Sequence, residues 1–492
     1  MVLPSVGDCR GCRLRQRELD RLWQEIAQLK NEVRQLRRRV TLLKKDNRRL
    51  RQELDEARRQ PHRQAGHFRR DKLKTRKKKP GRPRGHRADL RPTPTPEQID
   101  RTINVPCRLC PECNVALVDP KIVVQYQTDL PPVVPIVTQF NIETGFCPCC
   151  RQRRQGRHAE QTSNATGAAG NTLGPVVLTM AGELKHRLGV PYRKICDFLE
   201  TYCGLTACPA TFVRAEQRLA ELARPTYDLL IDALRRCQVV HADETGWRVN
   251  TLNAWLWVFT NKDLTIYTIR TGEKARGADV PKEILGADFD GYLIVDGAKA
   301  YQCLQYTKGQ CNAHLLRRAK DMADTARAHE QKILHTLITL IQEALDLARR
   351  RAQLTPQGYA RRAQDIDNRL EDWLVDRFAR FKSLSSELKR LAKHIANHRD
   401  EWLLFLHDPA VPPTNNHAER MLRPAVITRK VGGCNKTLLG ALVHSILASI
   451  MVTCKQRGQK FLEVARRLWS ADEPQAIPLV PLPNSAIPAG SI

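Results

Sequence analysis

Between residues 19 and 54 the apolar positions recur in a strict heptad. Leu19, Ile26, Val33, Val40, Asn47 and Leu54 hold position a, and Leu22, Leu29, Leu36, Leu43 and Leu50 hold position d. Branched residues at a with leucine at every d predict a two-stranded parallel coiled coil over 18–58, in which the single polar a residue, Asn47, fixes register. The g-to-e′ pairs Glu25–Lys30, Glu32–Arg37, Asp46–Arg51 and Glu53–Arg58 attract, and Arg39–Lys44 repels. A helix packed on the protein's own core would carry a broader stripe than a and d alone.

The periodicity then stops. Residues 59–104 are basic and rich in Pro and Gly, a composition that buries too little apolar surface to fold alone. Lys77, Lys78, Lys79, Arg82 and Arg84 lie in its densest part, Lys74–Arg87. They are candidates for phosphate contact. Gly81-Arg82-Pro83 is also similar to an AT-hook, whose arginine enters a narrow A·T minor groove.

Residues 105–160 carry two cysteine knuckles, Cys110-Pro-Glu-Cys113 and Cys147-Pro-Cys-Cys150, separated by β-prone sequence at 122–126 and 133–140. Four thiolates at this spacing close one tetrahedral Zn²⁺ site, which predicts a zinc ribbon. Cys107 and Cys149 are extras, and either can replace a neighbour. Cys9 and Cys12 receive no role. A polar linker at 161–170 leads to helical periodicity over 173–236. Within it, a helix at 192–201, a turn at Gly204 and a helix from Pro209 fit a helix-turn-helix. Thr211, Arg214 and Gln217 would then face a DNA groove. Helix packing without DNA contact gives the same pattern.

From Cys237 the pattern changes to short apolar runs. Those at 237–249, 254–260 and 264–270 read as an antiparallel meander, followed by a helix at 273–285 and a strand ending at Asp296. The first run carries Asp243 and Glu244 at its middle. An acid at the end of a buried strand is costly unless its charge is compensated, and hard divalent cations take carboxylate oxygens. Helical spacing resumes at 326–408, through Ile366, Leu370, Trp373, Leu374, Phe378, Phe381, Leu388, Leu391 and Ile395. Thr414 or Asn415 is a candidate N-cap for a helix that holds Glu419 and that Pro424 is expected to stop. Helix is again expected at 445–469, and residues 471–492 read as a disordered tail.

Four blocks resemble the catalytic segments of the insertion sequence 66 family of bacterial transposases: HADETGWRV (241–249), YLIVDGAKAYQ (292–302), CNAHLLRR (311–318) and NNHAERMLRPAVITRK (415–430). The resemblance implies a ribonuclease-H-like catalytic domain over 237–325 and 409–470, interrupted by the helical insertion 326–408. It places an Asp-Asp-Glu triad on Asp243, Asp296 and Glu419, holding two Mg²⁺ or Mn²⁺ ions with Asp296 between them. It also supports the zinc module. Arg420, Arg423, Arg429 and Lys430 follow the third acid and are candidates for phosphate binding. Cys311-Asn-Ala-His314 resembles a Cys-x-x-His element of transposases of this fold; the other reading of His314 is a satisfied structural histidine.

Composition sharpens the partner. The 492 residues carry 82 Lys/Arg against 52 Asp/Glu, a formal net charge of +30, and +19 of it lies in the first 91 residues. That is the footprint of a polyanion-binding protein. No segment is expected to approach the roughly 18 apolar residues of a membrane span. Without a signal pattern at residues 1–8, the expected location is the cytoplasm, at the nucleoid, and the 16 cysteines suit metal and core positions better than disulfides. The expected function is a DNA transposase that cuts element ends and joins the freed 3′-hydroxyls to target DNA, acting at least as a dimer. The alternatives are an inactive, transposase-derived DNA-binding regulator and a structure-selective nuclease of the same fold.

Overall fold

The computed structural model describes residues 91–119, 121–379, 383–471 and 473–480, with scattered positions between 17 and 47. It divides into two units, residues 1–128 and 129–492. In the first, every described position between 17 and 47 is helical and exposed, including Asn47. Leu22, Leu29, Leu36 and Leu43 show 49%, 54%, 59% and 60% of their surface, so the seam is not covered by any of the described residues. Leu50, Lys77, Lys78, Lys79, Arg82 and Arg84 lie outside the described residues.

The second unit opens with a hairpin, β1 (Thr144–Cys147) and β2 (Gln152–Gln155), registered Thr144 to Gln155. The β-prone runs at 122–126 and 133–140 are not strands; they lie exposed, Ile136 and Val137 at 93% each. Pro131, Pro132 and Pro135 remove the donors a ladder needs there. Four helices follow: α1 (Pro175–Gly182), continued by a π-helical turn at Glu183–Arg187, then α2 (Tyr192–Cys203), α3 (Pro209–Leu222) and α4 (Arg224–Arg235). Gly204, at φ 62°, ends α2 in the left-handed conformation that glycine adopts without Cβ strain. Ile195, Leu199, Phe212 and Leu219 face a shared core rather than solvent.

The central sheet has the order β5-β4-β3-β6-β7. Its strands are β3 (Val239–Val249), β4 (Leu252–Thr260), β5 (Thr265–Thr271), β6 (Tyr292–Val295) and β7 (Thr307–Gln310). The first three form the antiparallel meander, while β3–β6 and β6–β7 are parallel. The chain crosses to β6 through α5 (Asp279–Leu285) and to β7 through the single turn α6 (Lys299–Gln302). Sequence pattern alone misses β7, a Thr-Lys-Gly-Gln strand with a polar composition.

Helix α7 (Asn312–Ala323) leaves the sheet, and a helical insertion follows: α8 (Ala328–Arg349), α9 (Pro356–Ala379), α10 (Ser386–Asn397), α11 (Arg399–Trp402) and α12 (Leu404–His407). It has its own core around Leu337, Ile341, Leu370, Trp373 and Leu391. The side chain of Phe378, and Phe381, lie outside the described residues.

The chain returns as α13 (Asn416–Gly432), α14 (Leu438–Gln456) and α15 (Phe461–Ser470). Three expectations fail here. Pro424 lies inside α13 and does not end it. Ala418, Leu422 and Ala425 pack that helix on β3 and β4, and this burial outweighs the hydrogen bond the proline removes. The single helix expected at 445–469 is two, broken at Gly458 (φ 68°). The tail is ordered at its start: Ile477 and Leu479 are buried, and Ile477 N–H donates to Thr226 Oγ1 at 3.0 Å.

Helix α14 is also long and apolar enough to cross a membrane, contrary to the sequence expectation, but 72% of its apolar window is buried within the protein. Its hydroxyls explain that burial. Ser449 accepts from the Tyr267 N–H (2.8 Å) and Thr453 from the Thr265 N–H (3.1 Å), so the helix satisfies the outer edge of β5.

Candidate active site

Strand β3 is paired unequally on its two sides. Toward β4 the register runs from His241–Thr260 to Val249–Leu252; toward β6 it covers only Val239 to His241. Extending that parallel register by two residues sets Asp243 beside Asp296. Beyond it the edge of β3 has no strand partner, and α13 with its flanks takes that place. At one end Asn415 Nδ2 donates to Ala242 O (2.7 Å). In the middle Arg429 donates to Thr245 Oγ1 (2.9 Å) and to Gly246 O. At the other end Asn250 N donates to Asn435 O and Trp247 Nε1 to Asn435 Oδ1, both at 2.9 Å. Buried backbone groups must find partners, and these side chains supply them.

That arrangement delivers Glu419 to the first turn of α13, beside the two aspartates. The loop before it is held from the other side. Asn312, fully buried, donates through Nδ2 to Trp402 O (3.0 Å) and Pro413 O (3.2 Å), and Cys311 Sγ accepts from the Asn415 N–H at 3.1 Å. The insertion's end and the third acid's loop are thus fixed to the end of β7.

Burial pushes the Asp243 carboxyl up to about 7, and the negative charges of Asp296, Glu244 and Glu419 add to the rise. Its carboxylate accepts one hydrogen bond, from the Glu244 N–H (2.8 Å). Among the described residues no ion pair reaches Asp243 or Asp296. The adjacent acid differs. Glu244 has a side chain only 1% exposed, yet Arg276 lies 2.9 Å away and the Tyr301 hydroxyl donates to it at 2.9 Å. Arg276 in turn stacks on Trp255, 4.2 Å from the ring centroid. Two neighbouring carboxyls therefore differ in their partners: burial and Asp296 raise the Glu244 pKa as well, but Tyr301 and Arg276 offset part of that rise, while Asp243 faces the charges of Asp296 and Glu419 without an ion-pair partner among the described residues. A divalent ion suits the second arrangement rather than the first.

Burial also pushes His241 down to about 4, so its ring is neutral at physiological pH. Nδ1 lies 3.0 Å from Asn415 Oδ1, and since Asn415 Nδ2 is committed to Ala242, the imidazole is the donor. His314 is raised by its interaction with the Cys311 side chain, with smaller contributions from Glu419 and Asp296.

Other sequence candidates are placed as follows. Arg420 and Arg423 are exposed on α13, and Arg214 is exposed on α3. Arg429 is committed to β3, which makes it a structural residue rather than a free phosphate ligand. Lys430 is half-buried, its pKa lowered by burial and by Arg429. The two knuckles belong to different units, and each is a local turn. In the first, Cys110 N donates to Val115 O (2.8 Å), and the Cys113 and Glu112 N–H groups lower the Cys110 thiol pKa. In the second, at the tip of the β1–β2 hairpin, the Cys150 and Cys149 backbones do the same for Cys147. Cys113, Cys150, Cys107 and Cys149 are exposed free thiols.

The structure thus defines an α/β protein whose candidate site lies at a mixed sheet, where Asp243 and Asp296 meet Glu419 of a helix. Residues 170–442, more than half of the chain, match the family described as Transposase IS66 family, and the chain belongs to it. Two similar proteins come from Sinorhizobium fredii (strain NBRC 101917 / NGR234). Protein y4qI is 24% identical over 290 residues, 51% of this chain and 52% of its own. Protein y4jD is 24% identical over 281 residues, 52% of this chain and 54% of its own. The chain spans about half the length of these relatives.

Proposed function

We propose that this protein is a DNA transposase in which Asp243, Asp296 and Glu419 are the catalytic carboxylates, in a ribonuclease-H-like domain. The observation that carries the reading is the contrast between Asp243 and Glu244: adjacent buried acids, one partly compensated by Arg276 and Tyr301, the other facing Asp296 and Glu419 with no ion-pair partner among the described residues. The three carboxylates would hold Mg²⁺ or Mn²⁺. When bound, such ions activate the attacking oxygen and stabilise the leaving oxygen of an in-line phosphoryl displacement.

The protein's own part is positioning. Parallel register sets the two aspartates side by side, Asn415 and Arg429 hold α13 along β3, and neutral His241 locks Asn415. Exposed Arg420 and Arg423 hold phosphates next to the acids, and Arg214 and the basic segment around Lys77–Arg84 hold flanking DNA. The thiolate pairs Cys110–Cys113 and Cys147–Cys150 are the candidate ligands for structural Zn²⁺. The helical stripe at 22–43 pairs with a second copy. The protein acts in the cytoplasm, on the nucleoid.

The test is a cleavage and strand-transfer assay on DNA carrying the element's end, with Mg²⁺ or Mn²⁺. Wild type should nick and join, and Asp243→Asn, Asp296→Asn and Glu419→Gln should each reduce both steps by at least about 10³-fold while retaining DNA binding. Wild-type binding without any cleavage would replace this reading with that of a regulator.

A further inference from the structure

A second donor set, of different chemistry, touches the carboxylate site. Cys311 is 1% exposed and precedes the first residue of α7; His314 stands three residues on, in that helix's first turn. One ligand atom from each, together with one from Glu419, lies within 4.8 Å of the other two. His314 Nδ1 and Glu419 Oε1 face each other at 3.5 Å. Both atoms are closed to solvent, and neither has a hydrogen-bond partner among the described residues. Leaving a ring nitrogen and a carboxylate oxygen buried and unsatisfied is costly, so the pair marks a place where something is meant to bind.

We propose that Cys311, His314 and Glu419 form a site for zinc-class ions, distinct in chemistry from the all-oxygen set of Asp243 and Asp296. Thiolate and imidazole favour Zn²⁺ and discriminate against Mg²⁺, which demands oxygen ligands. Three protein ligands leave a fourth position open. Zinc bonds of roughly 2.0–2.3 Å need donors somewhat closer than they stand, a shift that side-chain rotation supplies. The His314 and Glu419 side chains are 33% and 28% exposed, so an ion can enter from solvent. The Asn415 N–H already donates to Cys311 Sγ, the kind of outer contact that orients a metal thiolate.

The consequence follows from Glu419 belonging to both sets. An ion held by Cys311 and His314 takes the Glu419 carboxylate away from Asp243 and Asp296, so zinc inhibits the Mg²⁺-dependent reaction. Binding stands on the geometry alone; the inhibition rests on the proposed function.

The experiment uses the full chain, stripped of metal and dialysed against Zn²⁺ in the presence of excess Mg²⁺, with bound zinc counted per chain. Cys311→Ser, His314→Gln and Glu419→Gln should each bind one equivalent fewer than wild type, with zinc at the two knuckles retained. Because Cys311 is buried, its variant can lose its fold; His314→Gln and Glu419→Gln, on partly exposed side chains, carry the result in that case, with thermal melts as the check. Cadmium should add thiolate-to-metal ultraviolet absorption to wild type beyond that of Cys311→Ser. In the cleavage assay, the zinc concentration for half-inhibition should rise at least tenfold in His314→Gln. Equal zinc equivalents in wild type and in folded His314→Gln and Glu419→Gln would overturn the site. Loss of an equivalent with a wild type that never cleaves would keep the site and reject the transposase chemistry.

Discussion

Asn415 donates its side-chain amide to the carbonyl of Ala242 at 2.7 Å, one residue before Asp243 and four before Glu419. This bond joins strand β3 to the start of α13, two pieces of the sheet unit that the helical insertion separates. The same amide's oxygen accepts a hydrogen bond from His241 Nδ1, so one buried side chain satisfies a strand edge and fixes an imidazole.

Asn415→Ala should therefore leave Ala242 O and His241 Nδ1 unpaired. The expected loss is about 2–4 kcal/mol in denaturant unfolding, with a larger fall in strand cleavage than in DNA binding. Stability within 0.5 kcal/mol of wild type, on the order of a neutral surface change, would remove Asn415 from this role.

The Asp243–Glu244 contrast gives a second prediction. Glu244→Gln keeps an oxygen for the Tyr301 hydroxyl and loses the Arg276 charge pair, so cleavage should fall by less than about tenfold. Asp243→Asn should abolish it. Equal loss in both would show that Glu244 also serves the reaction.

Titration of Asp243 provides a third, measured without added Mg²⁺. Its folded pKa is raised from 3.8 to about 7, so the folded state holds the proton more tightly than the unfolded one. Stability from this group is full below about pH 4 and is lost as pH rises toward 7. Asp243→Asn lacks the loss. Its advantage over wild type should grow between pH 4 and pH 7, to an upper bound of about 4 kcal/mol. His241 titrates with the opposite sign, but both proteins carry it, and it cancels in the difference. A difference that stays flat across this window would contradict the buried, uncompensated carboxylate.

The exposed leucine stripe predicts association. A fragment of residues 15–60 should sediment as a dimer at tens of micromolar, and Asn47→Val should keep association while loosening oligomer specificity. A monomer at that concentration would exclude the coil. Metal analysis of residues 105–155 should likewise give one zinc, and a chelator that leaves its circular dichroism unchanged would exclude the ribbon.

Periodicity and acid placement were legible without coordinates. Short apolar runs separated by turns mark β3, β4 and β5, because strands buried on both faces stay apolar along successive residues, and the Gly-bounded run before Asp296 marks β6. The insertion's helices were legible for the same reason. The polar strand β7 was not, since a short strand protected by neighbours needs no apolar signature. Pro424 misled because its local cost is fixed, whereas the burial of Ala418, Leu422 and Ala425 that offsets it depends on where β3 lies.

Sequence by itself determined which acids stand in or next to buried strands, how the helices alternate with strands, and that the chain carries an excess of positive charge. Only the tertiary structure decided which acids are compensated. Arg276 lies 32 residues from Glu244, and Tyr301 57, while Asp243 meets Glu419 across the whole insertion. Charge compensation acts through space, and a buried carboxylate's fate is set by what folding brings within a few ångströms of it.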